Sequence, residues 1–190
     1  MPSPFSQTIN DIDLQRLRGA DPAAQTQVFR QFEKPVYTLS FRMLGNSTSA
    51  LDAMQDSFVQ AFTKIAEIKS GTPFGFWLRK ITLHRSLREL RDRKDFDSDI
   101  VLDEQEDKAN SILQLADSLD LECALAKLSD RARAVLWLYH VEGYQHAEIA
   151  ELFGQSSSFS KSQLARALTH MRQLLQTSNS PSLPNLVTPL

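Results

Sequence analysis

Apolar residues recur along most of this chain at intervals of three and four, the period of a helix packed on one face. Residues 11–19, DIDLQRLRG, form a short first helix that Gly19 ends. At Asp21 and Pro22 an N-cap carboxylate precedes a proline in the first helical position, a strong start signal. The stripe Val28, Phe29, Phe32, Val36 and Met43 runs from there to a Gly45–Asn46 stop. Pro35 falls inside it and is predicted to kink or interrupt that helix. Ser47 is placed to cap the next one, which extends to about Ile68. Its inward stripe is Ala50, Met54, Phe58, Phe62 and Ile65, with Asp52, Gln55, Asp56 and Val59 on other faces. After the loop KSGTP, residues 74–94 repeat the pattern: Phe74, Leu78, Ile81 and Leu87 or Leu90 inward, arginines outward.

Periodicity then stops. Residues 95–110 hold acids and few large apolar side chains, the mark of a flexible linker. It resumes near Ser111 with LECALAKLS and DRARAVLWLYHVEG, two helices with Ser129 or Asp130 as the cap between them and Gly143 as the stop. Residues 147–175 have a helix-turn-helix pattern: Ala150 small enough for close approach, Gly154 for the tight turn, then Leu164, Leu168, Met171 and Leu175 as a buried stripe. Ser160 conflicts with it, since that position is usually apolar. Either Phe159 fills the core after a small rotation, the arrangement we favour, or it projects outward against thymine methyls. The tail holds three prolines and no pattern, and is expected to be disordered. The chain therefore reads as all-α: two small helical domains, 11–94 and 111–176, joined by a flexible acidic linker, 95–110, the second domain containing a helix-turn-helix. A flexible N-terminus, 1–10, and the tail, 177–190, flank them.

Hydrophobic content of 42% and charged content of 23% describe a globular chain. No apolar run approaches the roughly 20 residues of a membrane span, so no membrane insertion is expected. The N-terminus lacks the basic and apolar parts of a secretory signal, and the lone Cys123 fits a reducing, cytoplasmic location. The net charge of −2 conceals its distribution. Arg79 to Lys94 holds seven Lys or Arg against Glu89 and Asp92, and Asp95 to Asp107 holds seven acids and no base. The basic block is either the electrostatic footprint of phosphate binding or a solvated helix face.

Candidate chemistry sits in three places. The start of the last helix carries Ser156, Ser157, Ser158, Lys161, Ser162, Gln163 and Arg166, groups suited to base edges and phosphates. Phe74, Phe76 and Trp77 precede the arginine ladder, as stacking platforms for unpaired bases do, although Phe74 and Trp77 taken singly also suit core anchors. Asp52 and Asp56 stand four apart beside Gln55, and their mild repulsion is offset by an external basic partner or by solvent. His84, His140, His146, His170 and Cys123 show no metal-ligand spacing; there is no phosphate loop, nucleophile elbow or convincing carboxylate pair. No catalytic residue, metal or cofactor is implied, which argues against an enzyme.

Taken in order, these pieces resemble a bacterial RNA polymerase sigma factor of the compact extracytoplasmic-function (ECF) group, over about residues 11–176. ALDAMQDSF and FGFWLRKITLHRSLRELRDR match the family's first lobe, region 2; LECALAKLSDRARAVLWLYHVEGYQHAEIAELFG and SKSQLARA match its second, region 4. The resemblance implies that Asp52, Gln55, Asp56, Phe58 and Val59 bind the clamp helices of core RNA polymerase. It implies that Lys69, Ser70, Trp77, Arg79, Lys80, His84, Arg85, Arg88 and Arg91 recognise and melt the minus-ten element. Ser156, Ser157, Ser158, Phe159, Lys161, Ser162, Gln163 and Arg166 would read the minus-thirty-five duplex of promoter DNA, with the second lobe docked on the polymerase flap. His84 and Arg88 depart from the asparagine and aspartate common in relatives, so the minus-ten preference differs or is open. An anti-sigma factor is a possible further partner. The competing readings are a stand-alone helix-turn-helix DNA-binding regulator, which the basic aromatic helix argues against, and a helical adaptor without a DNA role.

Overall fold

The computed structural model describes residues 4–69, 71–93 and 123–178, with side chains through 174. Ser70, Lys94, the acidic linker, the expected start of the second domain at 111 and the tail from 179 lie outside the described residues, as does the side chain of Leu175. Among the described residues all regular structure is helical, and none of the helices is long and apolar enough to cross a membrane. The chain divides into two compact units, Met1–Ile100 with Glu151–Gln155, and Val101–Ala150 with Ser156–Leu190.

The first unit contains a 3-10 turn at Pro4–Ser6, then α1 (Asp11–Arg18), α2 (Pro22–Leu44), α3 (Ser47–Thr63) and α4 (Phe74–Asp92). Helices α2, α3 and α4 pack against one another. Of the expected inward stripes, Phe29 and Phe62 are half-buried and the rest are buried: Val28, Phe32, Val36 and Met43; Ala50, Met54, Phe58 and Ile65; Phe74, Leu78, Ile81 and both Leu87 and Leu90. Each large apolar side chain so buried contributes about 1.5–3 kcal/mol. Asp21 caps α2, its Oδ1 accepting from the Ala23 amide at 2.8 Å and the Ala24 amide at 3.3 Å.

Several local expectations are corrected. Pro35 does not interrupt α2, which is continuous to Leu44. Proline removes the one donor that would reach the Gln31 carbonyl, but Phe32, Val36 and Leu39 on either side are buried, and packing outweighs that loss. Gly45 stops α2 in the left-handed conformation at φ 65°, its N–H donating to the Phe41 carbonyl. The extended residue that follows is Asn46, so Asn46 rather than Ser47 caps α3, accepting from the Ser49 amide at 3.0 Å. Helix α3 ends at Thr63, short of Ile68, and residues 65–67 tighten into a 3-10 turn. In the N-terminal segment Phe5 is buried, and the 3-10 turn at Pro4–Ser6 packs on α2 and α4. Gly75 makes room for it, since a Cβ there would lie 2.1 Å from the Phe5 carbonyl oxygen and 2.9 Å from Phe32 Cε1.

Beyond the linker, residues 123–126 are helical, followed by α5 (Asp130–His140), α6 (His146–Phe153) and α7 (Ser157–Ser178), all in the second unit except the end of α6 from Glu151. Ser129 caps α5, accepting from the Ala132 amide at 3.4 Å. Helix α5 ends at His140, and Gly143 (φ 76°) lies in the loop beyond rather than at the helix end. Helices α5 and α7 pack together, with Ala134, Val135, Leu138, Leu164, Ala167, Leu168 and Met171 buried. Gly154 adopts φ 64°, as the turn before α7 requires.

Candidate nucleic-acid and partner surfaces

Three exposed surfaces result, each the complement of a buried stripe. On α3 the 50–54–58 stripe faces the core and leaves Asp52, Gln55, Asp56 and Val59 exposed, with Val59 at 64%. Phe58 does not join them: it is buried, its ring 4.7 Å from Phe29 and 5.9 Å from Phe62. Leu51, 44% exposed, extends the surface by one turn and was not singled out in the sequence, where a lone leucine carries no signal. The like charges of Asp52 and Asp56 are relieved inside the chain, because the Arg85 guanidinium of α4 pairs with the Asp56 carboxylate. Arg85, Arg88, Glu89 and Asp92 of α4 join Asp52 and Asp56 around one shallow depression between these helices.

On α4 a spacing of three and four aligns Trp77, Lys80, His84, Arg88 and Arg91 along one side. Lys80, His84, Arg88 and Arg91 are exposed, and among the described residues Arg88 pairs with Asp92 at 3.8 Å on the surface. Such exposed pairs contribute about 0–1 kcal/mol, too little to hold Arg88 against a phosphate. Burial, and then Lys80 and Arg91, hold the His84 imidazole below its ordinary pKa, the expected result of a ring set among cations. Arg79 and Arg85 lie off this stripe and are half-buried, Arg85 turned toward α3. Arg93 is also used internally, donating to the Leu44 carbonyl at 3.2 Å where α2 ends.

At the head of the stripe Trp77 is half-buried and braced on the core: its ring lies 5.9 Å from Phe74, which lies 5.7 Å from Phe32. Trp77 is thus supported by the core on one side and partly exposed on the other. Phe76 beside it is 42% exposed and belongs to the same surface. Lys69 is exposed in the preceding loop, anchored by the buried Ile68 and turned by Gly71 at φ 79°.

The third surface is the start of α7. Ser156, Ser157, Ser158 and Lys161 are exposed, Ser162 and Arg166 half-buried. Ser156 also caps the helix, with the Phe159 amide 3.4 Å from its Oγ. Gln163 is not on the exposed side: positions 160, 163, 167 and 171 form one inward stripe, and Gln163 is 2% exposed. The compensating rotation expected around Phe159 does not occur. Ser160 itself takes the inward place, fully buried, with its Oγ 3.0 Å from His146 Nδ1. Phe159 stays at the margin, half-buried, with the Arg131 guanidinium 5.7 Å from its ring centroid. Among the described residues no cluster of His, Cys, Asp or Glu suits a metal ion.

Comparison with known proteins adds a family pattern to this geometry. Residues 28–96 match the family profile described as Sigma-70 region 2, and residues 118–171 match Sigma-70, region 4. The chain is 28% identical over 163 residues to the ECF RNA polymerase sigma factor SigE of Mycolicibacterium smegmatis, covering 81% of this chain and 62% of that protein. It is 26% identical over 157 residues to the ECF RNA polymerase sigma factor SigM of Mycobacterium tuberculosis, covering 83% of this chain and 80% of SigM. In fold it is similar to the sigma factor RpoE solved with the anti-sigma factor NepR from Bartonella quintana. That likeness has a TM-score of 0.50 at 22% identity, over 80% of this chain and 96% of the other.

Proposed function

Because the chain belongs to the sigma-70 family, in its ECF group, with region 2 in the first unit and region 4 mostly in the second, we propose how its surfaces divide the work of initiation. It binds core RNA polymerase, directs it to specific promoters and assists their melting. The observation that carries this reading is the conjunction of both regions, in order, on one chain whose region 2 bears an exposed cationic stripe headed by a braced tryptophan. Nothing supports the stand-alone regulator, which has no use for region 2.

The α3 surface of Leu51, Asp52, Gln55 and Val59 meets the clamp helices, with Asp56 shared between Arg85 and the polymerase. Phe58 supports that surface from beneath. Lys80, His84, Arg88 and Arg91 follow the backbone of the minus-ten strand, while Trp77, Phe76 and the loop at Lys69 receive an extruded base. Stacking on an aromatic is worth about 1–3 kcal/mol per base, enough to offset much of the unstacking of one step. Burial and then the neighbouring cations lower the His84 pKa, and a phosphate placed near the ring would oppose that shift. Ser157, Ser158, Lys161 and Arg166 read the minus-thirty-five duplex, and the second unit docks on the flap. An anti-sigma protein is the class of regulator we propose. The test is run-off transcription from a promoter library by bacterial core polymerase with and without the protein. Transcripts enriched for defined minus-ten and minus-thirty-five sequences only when the protein is added are expected; a transcript pool unchanged by the protein contradicts the reading.

A further inference from the structure

The first turn of α7 is held by a polar contact where helix-turn-helix packing usually has an apolar one. Ser160 is fully buried, and its Oγ lies 3.0 Å from Nδ1 of His146, the first residue of α6. The His146 ring is in turn stacked on Tyr139 of α5, centroids 4.5 Å apart and planes 19° from parallel. Tyr139 meets His140 edge-on at 5.1 Å. Tyr139, His146 and Ser160 therefore join α5, α6 and α7 in one line. The groups facing the imidazole are Tyr139 and His140 from α5, and Ser160 and Lys161 from α7.

A hydrogen bond differs from an apolar contact in being directional. An apolar side chain at position 160 would allow α7 to rotate by small amounts within its groove. A buried hydroxyl that loses its partner is left unsatisfied, so the bond selects one rotation. At 100° per residue that rotation leaves Ser157, Ser158 and Lys161 exposed, as they are. We propose that His146 and Ser160 are a positioning pair for the recognition helix, their hydrogen bond setting the rotation at which Ser157, Ser158 and Lys161 meet the minus-thirty-five duplex. Neither residue of the pair touches DNA. The inference rests on the reading of α7 as the minus-thirty-five reader.

The test uses the full chain with bacterial core polymerase on a promoter library randomised at both elements, the run-off transcripts being sequenced. The variants are Ser160→Ala, His146→Ala, the two combined, and His146→Asn, whose amide places a polar atom near the position of Nδ1. Each alanine variant is expected to lower the preference among minus-thirty-five sequences about five- to tenfold while leaving the minus-ten preference unchanged. The double variant is expected to be no worse than either single one, and His146→Asn to keep most of the preference. Additive losses, an equal loss at the minus-ten element, no rescue by asparagine, or no loss at all would overturn the proposal. Thermal melting of each variant checks folding, and if Ser160→Ala does not fold, His146→Ala against His146→Asn makes the same comparison. If the wild type itself shows no minus-thirty-five preference, the reading of α7 fails first, and the positioning pair falls with it.

Discussion

Gly75 shows how much a single missing methyl group can decide. The N-terminal turn closes over the start of α4 only because no Cβ stands between the Phe5 carbonyl and the Phe32 ring. Gly75→Ala is expected to destabilise the protein by about 1–3 kcal/mol through overpacking, read as a lower urea midpoint. The histidines of the second unit give a pH dependence. Burial first, and then His146 for His140 and Lys161 for His146, hold both imidazoles below the ordinary value of 6.5. On acidification the unfolded chain therefore takes up these protons before the folded chain does. Their contribution to stability is fully present above pH 6.5 and is lost as pH falls through the lower folded values. Urea midpoints should fall between about pH 7 and pH 5, and less steeply in His140→Gln; a flat profile would contradict this. At this scale the sequence was only partly legible. Spacing placed Ser157, Ser158 and Lys161 on the exposed side correctly but Gln163 wrongly, because the inward stripe runs through 160, 163, 167 and 171. It did not reveal why a serine stands at position 160, since the partner, His146, is fourteen residues away on another helix. Nor did it separate Asn46 from Ser47 as a cap, which depends on where the left-handed glycine ends.

At the scale of the element, α4 separates cations that sequence alone had grouped. Lys80, His84, Arg88 and Arg91 share one exposed stripe, whereas Arg85 is engaged by Asp56 and Arg93 by the end of α2. If the stripe follows phosphates, Lys80→Ala and Arg91→Ala should each weaken promoter binding by holoenzyme across all sequences. Each should also reduce the slope of log affinity against log salt by about 0.7–0.9, one released counterion. Arg85→Ala should change that slope much less; equal slope changes for all three would show that the stripe is not the phosphate track. The helices were legible where a dry face met a clear end signal, as at Asp21–Pro22; the ends of α3 and α5, which lack one, were not. The exception, Pro35, follows from packing: the cost of one lost hydrogen bond is local, while the apolar residues around it are held by two neighbouring helices.

At the scale of the molecule, function was legible from the order of the parts. A helix-turn-helix alone fits many DNA-binding proteins, and a basic helix alone fits many surfaces. Region 2 followed by region 4 on one chain narrows both to initiation. The acidic linker between them, residues 95–110, lies outside the described residues. On the reading proposed above, region 2 would meet an unpaired strand and region 4 a duplex. On this reading strand separation requires this chain and core polymerase together. It is tested most directly by permanganate reactivity of thymines in the minus-ten element of a promoter recovered from the library. Reactive thymines are expected only when both components are present. Sequence-specific binding of the protein alone to duplex promoter, with no thymine becoming reactive when core polymerase is added, would contradict the reading.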